Sequence, residues 1–201
     1  MASVYDLKPR FQNLLRPLCG ALAGAGVTAN QVTVAAAVMS IAEGAAILLT
    51  HGARWALLAL PPVLLVRMGL NAIDGMLARE FDQKSRLGAI LNELGDVVSD
   101  TALYLPFAAI PGIDPLLMAL VTVVAIMGEM TGVVAVQIGA SRRYDGPMGK
   151  SDRALWFAVL ALMLAWMPGL ARMSWVYLIG IAALGLVTIF NRARGALEER
   201  A

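Results

Sequence analysis

Apolar residues in this chain recur in long blocks, and the polar residues between the blocks fall at regular intervals. Six blocks stand out: Val32–Thr50, Trp55–Leu77, Leu87–Ile110, Pro115–Ala140, Ala154–Met167 and Ser174–Phe190. A helix needs ~20 apolar residues to cross the hydrocarbon of a bilayer. The fifth block is short by that measure and is expected to extend past Asp152 or to tilt less. Breaks fall at His51-Gly52, Pro111-Gly112 and Pro168-Gly169 on one side, and at charged loops on the other. Before the first block, Val4–Leu22 mixes Phe11, Leu14, Leu15 and Leu18 with Lys8, Arg10 and Arg16. That mixture predicts an amphipathic helix lying at the membrane interface. Thr28 or Asn30 is placed to cap the first span. The expectation is an all-α, polytopic membrane protein with six transmembrane helices preceded by an interfacial helix. It forms one domain over residues 1–201, with 1–30 as the arm, 32–190 as the bundle and 191–201 as a tail.

Composition and charge sharpen this picture. Hydrophobic residues make up 59% of the chain and charged residues 15%, whereas soluble domains carry about 25% charge. The basic residues then sort by loop. Lys8, Arg10 and Arg16 precede the first span, and Arg79, Lys84 and Arg86 lie between the second and third. Arg142, Arg143, Lys150 and Arg153 lie between the fourth and fifth, and Arg192, Arg194 and Arg200 follow the sixth. The opposite loops hold only Arg54 and Arg172. This positive-inside bias puts both termini in the cytoplasm, as an even number of spans requires. A bacterial inner membrane is the expected location, and no nucleic-acid partner is expected. The N-terminus lacks the pattern of a cleavable signal. The one cysteine, Cys19, excludes an internal disulfide and reads as a small buried residue.

Ionisable residues inside spans are costly and mark function. Here they are Glu43, Arg67, Asp74, Glu93, Asp96, Asp100 and Glu129, with Asn71 and Asn92 as neutral neighbours. All but Glu43 and Glu129 flank the loop Glu80–Arg86. If the second and third spans form an antiparallel hairpin centred near Gln83-Lys84, Asn71 faces the level of Asp96 and Asp74 that of Asn92. Steps of three and four residues keep each pair on one helix face. Four oxygen-bearing side chains then converge about two turns in from the cytoplasmic helix ends. Such donors suit Mg²⁺ or Mn²⁺, hard ions that share phosphate oxygens. Gly75 and Gly88 leave room for a ligand, and Arg79 and Lys84 put cations at the mouth. A single Asn–Asp pair would read as interhelical glue. The full set reads as a phosphotransfer site.

Together these residues spell N-x-x-D-G-x-x-A-R-x8-G-x3-N-x3-D from Asn71 to Asp96. This resembles the signature of the CDP-alcohol phosphotransferase family, D-x-x-D-G-x-x-A-R-x8-G-x3-D-x3-D, with the spacing matched throughout. Six spans and the Gly26–Thr33 lead-in to the first helix are similar too. The resemblance implies transfer of a substituted phosphate, commonly phosphatidyl from CDP-diacylglycerol, to an alcohol acceptor with release of CMP. It implies that Asn71, Asp74, Asn92 and Asp96 ligate metal, and that Asp74, Gly75, Ala78, Arg79 and Gly88 surround the nucleotide. By the same resemblance Asp96 is the general base, and the protein is a homodimer.

The sequence departs from the family pattern at Asn71 and Asn92, where aspartates are usual. An asparagine oxygen can coordinate a hard cation but brings no charge. Glu93 and Asp100 can restore two negative charges near the motif. A member that binds nucleotide without turnover is the alternative these substitutions raise. A transporter would spread its polar residues over the full membrane depth, whereas here they concentrate in the cytoplasmic half of one hairpin.

Beyond the motif, Gly146-Pro147-Met148-Gly149-Lys150-Ser151-Asp152-Arg153 leads into a helix start. Its backbone N–H groups and two cations predict a site for an acceptor or lipid phosphate at Lys150 and Arg153, with Arg142 and Arg143 nearby. Arg67 is expected to pair with Glu43 or Asp100, and Glu129 to line an inner cavity or a subunit contact.

Overall fold

The computed structural model describes residues 4–199, with the side chains of residues 11–199. Lys8, Arg10 and Arg200 of the topology argument lie outside the described side chains. Among the described residues all regular structure is helical: α1 (Val4–Gly24), α2 (Ala29–Leu49), α3 (Arg54–Glu80), α4 (Arg86–Tyr104), α5 (Pro115–Val134), α6 (Lys150–Trp166) and α7 (Ser174–Glu198). Short 3-10 turns follow α4 and α5 and precede α7. Four stretches are long and apolar enough to cross a membrane: Ala29–Leu49, Arg54–Glu80, Pro115–Ile138 and Pro168–Glu198. The other two expected spans differ for separate reasons. Arg86, Glu93, Asp96 and Asp100 dilute the apolar character of α4, and the 17 residues of α6 reach only about 25 Å at 1.5 Å per residue.

Local chemistry sets the helix ends. Thr28 Oγ1 accepts from the Gln31 N–H at 3.3 Å while Gln31 Oε1 accepts from the Thr28 N–H at 2.9 Å. This reciprocal pair satisfies two backbone donors before α2, so Thr28 is the cap and Asn30 is released for another role. Asp114 caps α5, taking the Leu116 and Leu117 N–H groups at 2.9 and 3.0 Å. The turn between α2 and α3 uses left-handed backbone at His51 and Gly52, with φ of 51° and 78°. His51 is exposed there, as expected of a loop residue.

The chain forms two compact units whose boundaries fall inside α2, α3 and α4. The first comprises Met1–Ser40 and Leu65–Ser99. Its core joins α1, α2 and α3 through Cys19, Val32, Ile73, Met76 and Leu77, all buried. Cys19 is therefore a small packing residue, as read from the sequence. On the α1 surface Arg16 bridges to Glu80 at 3.0 Å.

The second unit comprises Ile41–Leu64 and Asp100–Ala201. Its larger core centres on Phe157, fully buried, stacked on Tyr104 at 4.0 Å and edge-on to Phe107 at 5.5 Å. Close approach between elements depends on missing side chains. A Cβ on Gly185 would stand 2.5 Å from Val124 Cγ1, and one on Gly146 would stand 2.6 Å from Thr188 Cα. Gly146 also has φ +114°, so both space and backbone conformation require glycine there.

Beyond α7, Glu199 takes the Ser141 hydroxyl at 2.8 Å, the Ser141 N–H at 3.1 Å and Arg143 Nη1 at 2.7 Å. These bonds, led by that of the Ser141 hydroxyl, hold the Glu199 carboxyl below its ordinary range. A depressed carboxyl contributes stability above its unfolded pKa and loses it as pH falls through the folded value. The Ser141–Glu199 tether is expected to hold at neutral pH and to loosen below about pH 4. Hydrogen exchange at the Ser141 amide, corrected for its intrinsic pH dependence, reads this directly.

Candidate active site

The motif residues lie on α3 and α4 in the first unit. Ser85 starts α4, its Oγ accepting from the Gly88 N–H at 2.9 Å, the usual geometry of a serine cap. Gln83, in the loop before it, ties that loop to the start of α2. Its Oε1 takes the Ala29 N–H at 2.7 Å and its Nε2 donates to the Val27 carbonyl at 3.4 Å. A short loop is thereby fixed against a third helix.

Thr33 of α2 then touches both arms of the hairpin. Its hydroxyl donates to Asp74 Oδ2 at 2.8 Å, and its methyl lies 3.4 Å from where a Cβ on Gly95 would be. Asp74 is buried, with 5% relative exposure, so its carboxylate is oriented by a neutral donor and not left to water. From α3, Arg67 donates to the Asp96 carbonyl at 3.3 Å, and its Nη2 lies 3.9 Å from Asp96 Oδ1. Asp96 is only partly buried. Asn71 is half-buried, and its Nδ2 is enclosed with no hydrogen-bond partner. Asn92 is exposed and Glu93 half-buried.

Both motif glycines are close-approach positions. A Cβ on Gly75 would meet the Arg79 guanidinium at 3.0 Å, and one on Gly88 would meet Asn30 Oδ1 at 2.8 Å. Arg79, exposed at the end of α3, therefore folds back over Gly75. Asn30 of α2 lies against Gly88 of α4.

The second unit holds a separate charged cluster built around Glu129 of α5. Its carboxylate contacts Arg142 at 3.2 Å, Arg153 at 2.8 Å and Arg192 at 3.4 Å. Arg153 also donates from Nε and Nη2 to Asp100 Oδ2, at 2.9 and 2.7 Å, and from Nη1 to the Met148 carbonyl at 3.1 Å. Arg192 Nη1 donates to the Gly128 carbonyl at 2.6 Å. Arg153 and Arg192 are almost wholly buried, as are Glu129 and Asp100.

Residues 26–190 match the family model for CDP-alcohol phosphatidyltransferase. The chain belongs to that family. Among curated proteins it is similar to inner membrane protein YnbA of Escherichia coli (strain K12), with 47% identity covering 97% of this chain and 96% of that protein. Among solved structures it is similar in fold to Mycobacterium tuberculosis phosphatidylinositol phosphate synthase (PgsA1) with CDP-DAG bound. That match has a TM-score of 0.73 and 20% identity, covering 92% of this chain and 97% of that one. The same enzyme in complex with manganese and citrate matches with a TM-score of 0.73 and 20% identity, over 92% of each chain.

In this member of the family one sequence expectation changes, that for Arg153. Asp100 is a buried counter-charge to Arg153 at 2.7 Å. Arg153 does not present a cation to a phosphate: it sits one turn inside α6, on the same face as Phe157 and Leu160, with its donors directed inward. Arg67 reaches Asp96 within the first unit. Glu129 proves to be the hub of an ion cluster in its own unit. Arg142 pairs with it and stacks on Tyr144 at 4.5 Å, while Arg143 pairs with Asp145 and Glu199, each at 2.7 Å. Lys150 is half-buried at the first turn of α6.

The sequence reading missed Thr33, Gln83, Asn30 and Arg192. A signal existed for Thr33, which lies four residues after Ala29 and so on the same face of α2, toward the motif. Arg192 lies 63 residues from Glu129, too far for any periodic pattern to connect them.

Among the described residues no three Asp, Glu, His or Cys side chains gather as a metal cage. The donor set is instead two carboxylates and two amides. That set fits a hard divalent ion that takes its remaining ligands from phosphate oxygens and water. The enclosed Asn71 amide end fits as well: turned over, it presents Oδ1 at the same place.

Proposed function

We propose that this protein is an integral-membrane phosphotransferase that moves a substituted phosphate, in the first instance phosphatidyl, from a CDP-linked lipid such as CDP-diacylglycerol to an alcohol, releasing CMP. One observation carries the reading: the motif, in full spacing, stands on α3 and α4, with Asp74 oriented by Thr33 and Arg79 folded over Gly75. The PgsA1 structures support the class of donor and of ion, since one holds CDP-DAG and another manganese. In this reading α2 to α7 supply six spans in a bacterial inner membrane as one domain, with both termini and the motif at the cytoplasmic face. The protein works as a homodimer.

Asn71, Asp74, Asn92 and Asp96 would hold Mg²⁺ or Mn²⁺, with Glu93 as a supporting carboxylate. Bound there, the ion neutralises the pyrophosphate and the charge of departing CMP. Gly75, Ala78 and Gly88 lie around the nucleotide, and Arg79 adds a cation. Asp96 accepts the proton of the acceptor hydroxyl as its oxygen attacks the phosphorus that carries the lipid. The bond from that phosphorus to the CMP oxygen breaks. The loop between α5 and α6, with Arg142, Arg143 and Lys150, is assigned an acceptor or lipid phosphate.

Divalent-dependent CMP release from CDP-diacylglycerol by the purified protein, across a panel of alcohols, tests the proposal. A second reading has its own support: Asn71 and Asn92 bring no charge to the site, which suits a member that binds nucleotide without turnover. Intact nucleotide binding with no CMP from any acceptor would select it.

Two variants refine the site. Thr33→Val keeps the shape and removes the hydrogen bond to Asp74. It is expected to lower kcat/KM about 10–100-fold, the usual effect of losing a group that orients a metal ligand, with little change in thermal stability. The Asn71→Asp/Asn92→Asp pair restores the usual family charges. It is expected to lower the Mg²⁺ concentration for half-maximal activity by about tenfold or more, read from a metal titration of CMP release.

A further inference from the structure

Two neighbouring side chains of opposite charge close α3, and they turn to different places. Arg79 folds back along its own helix: its Nη2 and Nη1 stand 3.0 and 3.2 Å from where a Cβ on Gly75 would be. Among the described residues it enters no ion pair. Glu80, the next residue, turns to α1 instead. Arg16 Nε donates to Glu80 Oε2 at 3.2 Å, and Arg16 Nη2 donates to Glu80 Oε1 at 3.0 Å. The remaining nitrogen, Nη1, donates to Asn13 Oδ1 at 2.9 Å, three residues earlier on α1. One planar fork thus takes both carboxylate oxygens, and Asn13 holds that fork in orientation.

This pair is not what docks α1. The helix packs on the first unit through Leu15, Cys19 and Leu22, against a core that includes Ile73, Met76 and Leu77 of α3. Arg16 and Glu80 are both exposed, and an exposed ion pair adds little to the hold of such a contact. What the fork changes is charge. The donor assigned to this site brings a pyrophosphate. A bare carboxylate on the residue after Arg79 would repel it and offset the arginine. Between exposed charges such an effect is modest and screened by salt.

We infer that Arg16 is a positioning residue for the CDP-linked donor: its fork neutralises Glu80, so that Arg79 meets the pyrophosphate with its charge undiminished. The inference rests on the transferase reading and on its assignment of Arg79 to the nucleotide. It adds to that site a residue of the interfacial helix, outside the motif.

Arg16→Gln, Glu80→Gln and the double variant, purified in lipid nanodiscs with Mg²⁺, are compared with wild type. KM for CDP-diacylglycerol is read from CMP release with the most active alcohol of the panel, and Kd for CDP from titration calorimetry. Arg16→Gln is expected to raise both about 3–5-fold, with kcat unchanged. Glu80→Gln and the double variant are expected to stay at or below wild-type values, since no carboxylate remains to offset Arg79. The deficit of Arg16→Gln is expected to vanish as salt approaches about 1 M. A structural tether predicts a different pattern, in which both single variants and the double lose affinity alike. That pattern overturns the inference and leaves the transferase reading intact, as does an Arg16→Gln that matches wild type. CMP release from none of the four proteins overturns the transferase reading instead, and Kd for CDP then decides the inference alone. Wild type that binds no CDP overturns the inference as well.

Discussion

Asp96→Asn is expected to reduce kcat for CMP release by about 10²–10⁴-fold, the range associated with loss of a positioned general base. The amide preserves the volume of the side chain but cannot take a proton from the acceptor hydroxyl. The structural cost is expected to be small, because Arg67 keeps its hydrogen bond to the Asp96 carbonyl at 3.3 Å and its contact to the side chain is already long, at 3.9 Å. The variant should therefore fold while turnover collapses. Measured by steady-state kinetics at saturating CDP-diacylglycerol and divalent ion, the loss is read in kcat. Unchanged kcat would assign proton transfer to another group.

Arg153→Ala is expected to have the largest effect on stability, about 3–5 kcal/mol, the usual consequence of breaking a buried ion pair from one side. Its guanidinium serves Asp100, Glu129 and the Met148 carbonyl, and alanine leaves all three acceptors enclosed. Against a typical total of about 5–15 kcal/mol, that loss is enough to reduce the yield of folded protein. Thermal unfolding in detergent measures it. Pairing Asp100→Asn with Arg153→Met removes charge from both sides and is expected to be less damaging than Arg153→Ala alone. A stable Arg153→Ala that loses only acceptor binding would instead return Arg153 to the role of a phosphate ligand.

The hairpin was legible because its polar residues obey one register. Asn71, Asp74, Asn92 and Asp96 share faces only if α3 and α4 are helices of opposite direction, and the short loop at Gln83 leaves little freedom in the alignment. The start of α2 was legible for a local reason: Thr28, one of the two cap candidates, is the residue that caps it. The charged cluster was not legible. Glu129 lies between glycines with partners 13, 24 and 63 residues away, and no spacing rule reaches that far. Arg153 was misread because the glycines before it suggested an anion cradle. The repeat of Arg153, Phe157 and Leu160 on one face of α6 pointed inward, and that was the better signal. Thr33 escaped attention because threonine is common in apolar helices. Only the fold shows that its hydroxyl reaches Asp74.

The central claim is that Asp74 and Asp96 serve one divalent ion together with the nucleotide-bearing lipid. Electron paramagnetic resonance of Mn²⁺ titrated into the purified protein, with and without CDP-diacylglycerol, measures this without reliance on turnover. Tight Mn²⁺ binding that requires the lipid nucleotide, and that is lost in both Asp74→Asn and Asp96→Asn, is the predicted result. Mn²⁺ binding that persists undiminished when both carboxylates are replaced would contradict it.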